Sequence, residues 1–216
     1  MKPSINRFAS LATIELSNLA NELRDFSDYK LTSDGKGEYV GSILGFVKGL
    51  RISAKLIYFI RTTLSNHPCD VNWGHIIDIS RDSCSPECDV IVHDRGLFAR
   101  WNGGEKPIMD FLFIESKYVK AVVSCKSRLT AIDKDYPRHM NAHGINKVFL
   151  FAECCSHTNY ANLRAQALQA GYSGLWCAYF TVGQEDEVVD DEFHHLDFWK
   201  TLRELYNLPH APASSS

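Results

Sequence analysis

Three short runs rich in Val and Ile most limit what this chain can fold into: VNWGHIIDIS (71–80), CDVIVHD (88–94) and YVKAVVSCK (118–126). Branched side chains suit the pleated surface of a sheet, and Ser, Pro, Gly and Asp punctuate the runs as they punctuate strands. MDFLFIES (109–116) reads as a further strand or a packed loop. Downstream the pattern alternates, with a strand KVFLFAE (147–153), a helix near 158–171 and a strand LWCAYFTV (175–182).

Apolar residues at three- and four-residue spacing predict amphipathic helices over 8–26 and, in LDFWKTLRELYNL, over 196–208. A further helix is expected over about 40–64, and the acidic GQEDEVVDDEFHH between strand and last helix reads as a solvated loop. Strands bunched early and alternating with helices later predict an α/β (α+β) fold, a central mixed β-sheet flanked by helices. The expected organisation is a helical segment over 1–48, an α/β core with its C-terminal helix over 49–208, and a disordered tail over 209–216.

With 216 residues, 45% of them hydrophobic, the chain can bury one substantial core. Its net charge of -3 exerts no global pull on nucleic acid or anionic membrane, so a polyanion site has to be a local basic patch. No apolar run is long enough to span a bilayer, and charged Glu15 comes too soon for a signal sequence, so a cytoplasmic protein without a membrane partner is expected. Seven cysteines without repeated spacing are expected to be reduced thiols. Glycine-rich phosphate loops and dinucleotide fingerprints are absent from the sequence.

On the run 118–126 the pleat turns Lys120, Val122, Ser124 and Lys126 one way, and Val119, Ala121, Val123 and Cys125 the other. Asp89 opens the short run that is expected to pair with it. An aspartate and a lysine on adjacent strand ends, with one more carboxylate, hold a hard divalent cation through oxygen. The lysine then orients water and stabilises charge on phosphorus. Zinc is the competing chemistry, through Cys84, Cys88 and His93 or Cys154, Cys155 and His157, but the spacings match no common structural zinc pair. A cysteine nucleophile at Cys154 or Cys155 has no recognisable motif around it.

Asp89 followed by VIVHD, and then VKAVVSCKS, resembles the strand-hairpin-strand core of the PD-(D/E)XK nuclease superfamily. The flanking NWGHIIDISRDSCSPECDVIVHD and IESKYVKAVVSCKSRL are similar to an uncharacterised bacterial branch of it, over roughly residues 49–182. The resemblance implies a restriction-endonuclease-like core, Asp89 as metal ligand, Lys126 as catalytic lysine and Mg2+ or Mn2+ as cofactor. Ser124 stands where the superfamily carries its second acid, and a neutral hydroxyl cannot supply that charge. Two nearby carboxylates are candidates to fill the gap, Glu115 first as metal ligand and catalytic residue, then Glu87; His93 is an accessory candidate as ligand or acid/base group.

Lys120, Lys126 and Arg128 at the sheet end, with Lys117, Lys134 and Arg138 on adjoining segments, are the basic residues expected to meet nucleic acid. The expectation is a metal-dependent nuclease hydrolysing phosphodiester bonds of DNA. The alternative is a degenerate nuclease-like domain that binds nucleic acid, a protein partner or a second copy of itself, within a bacterial defence or toxin system.

Overall fold

A computed structural model describes residues 18–19, 21, 41–63, 69–94, 111–182 and 185–188. The predicted helix over 196–208 and the tail lie outside them, as does most of the N-terminal helix; Leu19 is helical and buried.

The centre is an eight-stranded mixed sheet. Its strands are β1 (Cys69–Asp78), β2 (Ser83–Cys84), β3 (Cys88–Asp94), β4 (Phe111–Glu115), β5 (Val119–Leu129), β6 (Val148–Ser156), β7 (Gly174–Val182) and β8 (Glu185–Val188). The order runs β2-β1-β3-β5-β6-β7-β8, with β4 added to β1. Antiparallel pairing joins β1 to β2 and β3, β3 to β5, and β7 to β8. Parallel pairing joins β1 to β4, β5 to β6 and β6 to β7.

Parallel strands need crossover connections that bring helices over the sheet, so their residues are buried on both faces. β6 follows the rule, with eight consecutive buried residues from Val148 to Cys155. One face of the sheet presents Val71, Val90, Val92, Ala121, Val123, Cys125, Phe149 and Phe151, and it is covered by α1 (Gly41–Thr63) through Ile52, Leu56, Phe59 and Ile60. The opposite face presents Ile76, Ile91, Val122, Val148, Leu150 and Ala152 to α2 (Asp135–Ala142) and α3 (His157–Ala170), which contribute Met140, Leu163 and Ala167. The alternation expected along β5 holds from Ala121 to Cys125, with Ala121, Val123 and Cys125 toward α1 and Val122 on the opposite face; Val119, expected beside Ala121, packs on the opposite face, where the β3/β5 register shifts between Val92 and His93.

One expectation changes, and one pair of alternatives is decided. The acidic segment expected as a loop contains β8, whose backbone pairs with β7 from Tyr179↔Val188 to Val182↔Glu185. MDFLFIES resolves into strand β4, with Leu112 and Ile114 fully buried. Among the described residues no helix is long and apolar enough to cross a membrane.

Gly74 shapes the middle of β1. The β1/β3 register shifts between Asn72 and Gly74, and Gly74 takes φ +146 there, opposite Cys88 on one side and Leu112 on the other. A β-bulge of this kind bends the strand and re-aims its neighbours. The residue after Cys88 is Asp89.

Candidate active site

Asp89 and Lys126 come together as the sequence anticipates, because β3 and β5 pair antiparallel with Val90 opposite Val123. One step further along that register sets Asp89 opposite Ser124. The Asp89 carboxylate accepts the backbone N–H of Cys125 at 2.7 Å through Oδ2, which fixes the side chain to the neighbouring strand. Burial raises the Asp89 pKa above the usual carboxylate value; the Cys125 N–H and the Lys126 charge oppose this, Glu87 adds to it, and the Ser124 hydroxyl opposes it slightly. Lys126 is exposed at the strand end, whereas Ser124 beside it is buried.

Glu115 is not brought to this point. β4 lies on the far side of β1 from β3, and Glu115 pairs with Ile77 while Cys88 pairs with Gly74. Two strand spacings (about 10 Å) and three residues along the strand (about 10 Å) therefore separate it from the start of β3. Its carboxylate makes an ion pair with Lys117. Glu87 is exposed just before β3 and acts on Asp89 only as a nearby like charge.

His93 sits at the opposite end of β3, about 13 Å along the strand from Asp89. It is fully buried, with Nε2 meeting the Asn72 amide at 2.6 Å and Nδ1 meeting the Asp94 carbonyl at 2.8 Å. Asn72 in turn accepts from Arg61 at 2.5 Å, and Arg61 also donates to the Val71 carbonyl at 2.9 Å. Burial, above all, lowers the His93 pKa. The ring is a structural link between α1, β1 and β3.

The basic residues divide into two groups. Lys126 and Arg128 project from the site end of β5, with Arg128 acting on Cys154. Lys120 lies about 20 Å back along the same strand and pairs with Asp94 at 3.1 Å. Lys117 is beside it, over the Tyr118 ring at 4.8 Å. Lys134 is exposed before α2, and Arg138 pairs with Asp135 at 3.3 Å.

The oxygen donors at the site are the Asp89 carboxylate and the Ser124 hydroxyl. Among the described residues no three His, Cys, Asp or Glu side chains converge to hold a metal. A single carboxylate does not make an all-protein cage. It fits a magnesium-type ion that keeps most of its waters and takes further oxygens from a phosphate. All seven cysteines are thiols, and Cys88 faces Met140 rather than His93.

Two buried polar groups carry no signal in the sequence. Glu153 on β6 is 3% exposed and accepts the Tyr179 hydroxyl at 3.1 Å on Oε1. Tyr136 on α2 places a buried hydroxyl beside the Cys88 thiol.

No curated family model matches the chain, and no curated protein matches it. Solved structures that share its architecture include two of NucC. NucC of P. aeruginosa ATCC27853 in its cAAA-bound form has a TM-score of 0.60 at 12% identity, covering 98% of this chain and 95% of that one. NucC of E. coli MS115-1, also cAAA-bound, has a TM-score of 0.58 at 12% identity, covering 98% and 94%. At that identity the likeness is one of fold, and the fold is the restriction-endonuclease-like α+β core.

Proposed function

We propose that the chain is a PD-(D/E)XK-type nuclease that hydrolyses phosphodiester bonds of DNA with Mg2+ or Mn2+. The observation that carries this reading is the pairing of β3 with β5, which sets Asp89 against the Cys125 N–H and beside Lys126. A bound cation would supply Lewis acidity at the scissile phosphate. Asp89 is the residue to hold it, and Lys126 stabilises charge developing on the phosphoryl oxygens. Arg128 and Lys126 form the near part of the DNA contact, and Lys117 and Lys120 a more distant part. The boundary expected at 48/49 falls inside the continuous helix α1 (Gly41–Thr63), so the core takes in the whole of that helix and runs on to 208, with 209–216 as a tail; the chain acts in the bacterial cytoplasm in a defence role.

A second reading keeps the fold and drops the hydrolysis, leaving a domain that binds DNA, a protein partner or a second copy of itself. Its support is specific: Ser124 occupies the acid's place and Glu115 is engaged two strands away.

The test is nicking of plasmid DNA by the full chain in Mg2+ or Mn2+, with and without cAAA because the compared NucC structures are cAAA-bound forms. Cleavage abolished by both Asp89→Ala and Lys126→Ala supports the nuclease. Cleavage that survives both removes this site, and DNA retention without cleavage under any condition selects the binding domain.

A further inference from the structure

Between β2 and β3 the chain leaves the ladder for three residues, Ser85, Pro86 and Glu87, while β1 runs on opposite them. The Ser85 N–H donates to the Ile76 carbonyl at 2.8 Å, half of the pair of bonds that facing antiparallel residues exchange. The other half is rewired. The Ile76 N–H donates to Ser85 Oγ at 2.8 Å, and the Ser85 carbonyl is turned to His75 Nδ1 at 2.8 Å. The hydroxyl thus stands in for the carbonyl of its own residue. It also donates to the Pro86 carbonyl at 2.7 Å and lies 3.6 Å from Cys88 Sγ, which ties Ile76 to the start of β3. Ser85 and Ile76 are both buried, and without the hydroxyl the Ile76 N–H loses its acceptor.

This latch sets the phase of the strand that carries Asp89. Ile76 faces Ser85 and Gly74 faces Cys88, so two steps along β1 are matched by three along its neighbour. A regular ladder would bring Glu87 opposite Gly74. The added residue brings Cys88 there instead, buried in one layer with Ile76 and Met140. A second extra residue follows at once, because Asn72 pairs with Ile91 and Asp89 and Val90 together oppose Trp73. A slip of one residue turns side chains to the other face, and bulges beside active sites re-aim them. Asp89 lies in the second bulge, and in this phase its carboxylate meets the Cys125 N–H. We propose that Ser85 is a positioning residue for Asp89, its hydroxyl locking the register in which that carboxylate faces a bound divalent cation and the DNA phosphate. This rests on the nuclease reading of the site.

The test uses the full chain, Mn2+ and an uncleavable phosphorothioate DNA duplex, with bound Mn2+ read by electron paramagnetic resonance at a temperature where every variant is folded. Ser85→Ala is expected to weaken Mn2+ binding about tenfold, and Ser85→Thr, which keeps the hydroxyl, to restore most of it. Tyr160→Phe is the control. It removes a 3.0 Å hydrogen bond to the Leu175 carbonyl, three strands from β3, and should lower Tm without moving Mn2+ binding. Unchanged Mn2+ binding in Ser85→Ala overturns the proposal and leaves the nuclease reading intact. Equal weakening in Tyr160→Phe also overturns it, because general destabilisation then accounts for the loss. So does a loss in Ser85→Thr as large as in Ser85→Ala, or a Ser85→Ala chain that no longer folds, since the hydroxyl then serves the sheet as a whole. If the parent itself binds no Mn2+, the nuclease reading fails and this proposal fails with it.

Discussion

Replacing Gly74 by alanine tests the link between the bulge in β1 and the rest of the sheet. A Cβ built at Gly74 would stand 1.9 Å from the Leu112 carbonyl oxygen and 2.8 Å from the Leu112 carbonyl carbon and nitrogen. These are backbone atoms of a paired strand, so no side-chain rotation relieves the overlap. Its φ of +146 is also a conformation open essentially to glycine, and another residue there costs about 1–3 kcal/mol. The cheapest steric relief is release of β4, which returns Leu112 and Ile114 to water at about 1.5–3 kcal/mol each. That sets a ceiling of about 6 kcal/mol on the steric part. A total loss of about 4 kcal/mol is expected, equivalent to a fall in Tm of about 8–16 °C for a chain of this size.

Two other glycines serve as controls. Gly144 has φ +81 but open space around its Cβ position, so Gly144→Ala costs only about 1–2 kcal/mol. Gly49, inside α1 and equally open, gains about 0.5–1 kcal/mol on replacement by alanine. Urea denaturation of the three variants reads the order directly, and hydrogen exchange at Leu112–Ile114 reports whether β4 has let go. A Gly74→Ala variant within about 1 kcal/mol of the parent, with β4 still protected, would refute the reasoning.

Acid should destabilise the protein through His93. Its folded pKa lies below the ordinary value of 6.5, so the unfolded chain takes up a proton that the native chain resists. The contribution is flat above pH 6.5 and falls below it at up to about 1.4 kcal/mol per pH unit until the native pKa is reached. Urea midpoints at two pH values should show a steeper acid loss for the parent than for His93→Gln, and equal slopes would contradict it. Ser124→Glu puts a second carboxylate in a buried position beside Asp89, so its Tm should fall without metal and recover substantially with Mn2+; a loss that Mn2+ does not reverse speaks against the cation site. Met140→Ala should cost about 2–5 kcal/mol by opening a cavity between α2 and β3, seen as a lower urea midpoint.

The strands that carry the site were legible because Val and Ile runs with clear punctuation leave little choice, and the parity of β5 then separated Ser124 and Lys126 from Cys125. The helix α2 was hidden: DYPRHMNA is polar and carries Pro137, which the first turn tolerates because its N–H would have no partner there. The strand β8 was hidden by its charge, since EDEV looks solvated and its pairing depends on backbone groups. Glu115 illustrates a different limit. It precedes the lysine strand by a few residues, but sequence order does not say on which side of β1 its own strand will lie. The bulge at Gly74 leaves only a glycine as its trace, one of 13 in the chain.

The polar links around His93 have a direction, and a residue on α1 sets it. A guanidinium has donors only, so Arg61 obliges Asn72 to turn its carbonyl oxygen toward it. The amide nitrogen must then face the imidazole, Nε2 must be bare, and the ring proton must stand on Nδ1 to meet the Asp94 carbonyl. One cation that cannot accept thus orients an amide and selects a tautomer in the strands below. Exchanging Arg61 for a side chain able both to give and to receive would keep the neighbours in place and leave them two equivalent ways to point.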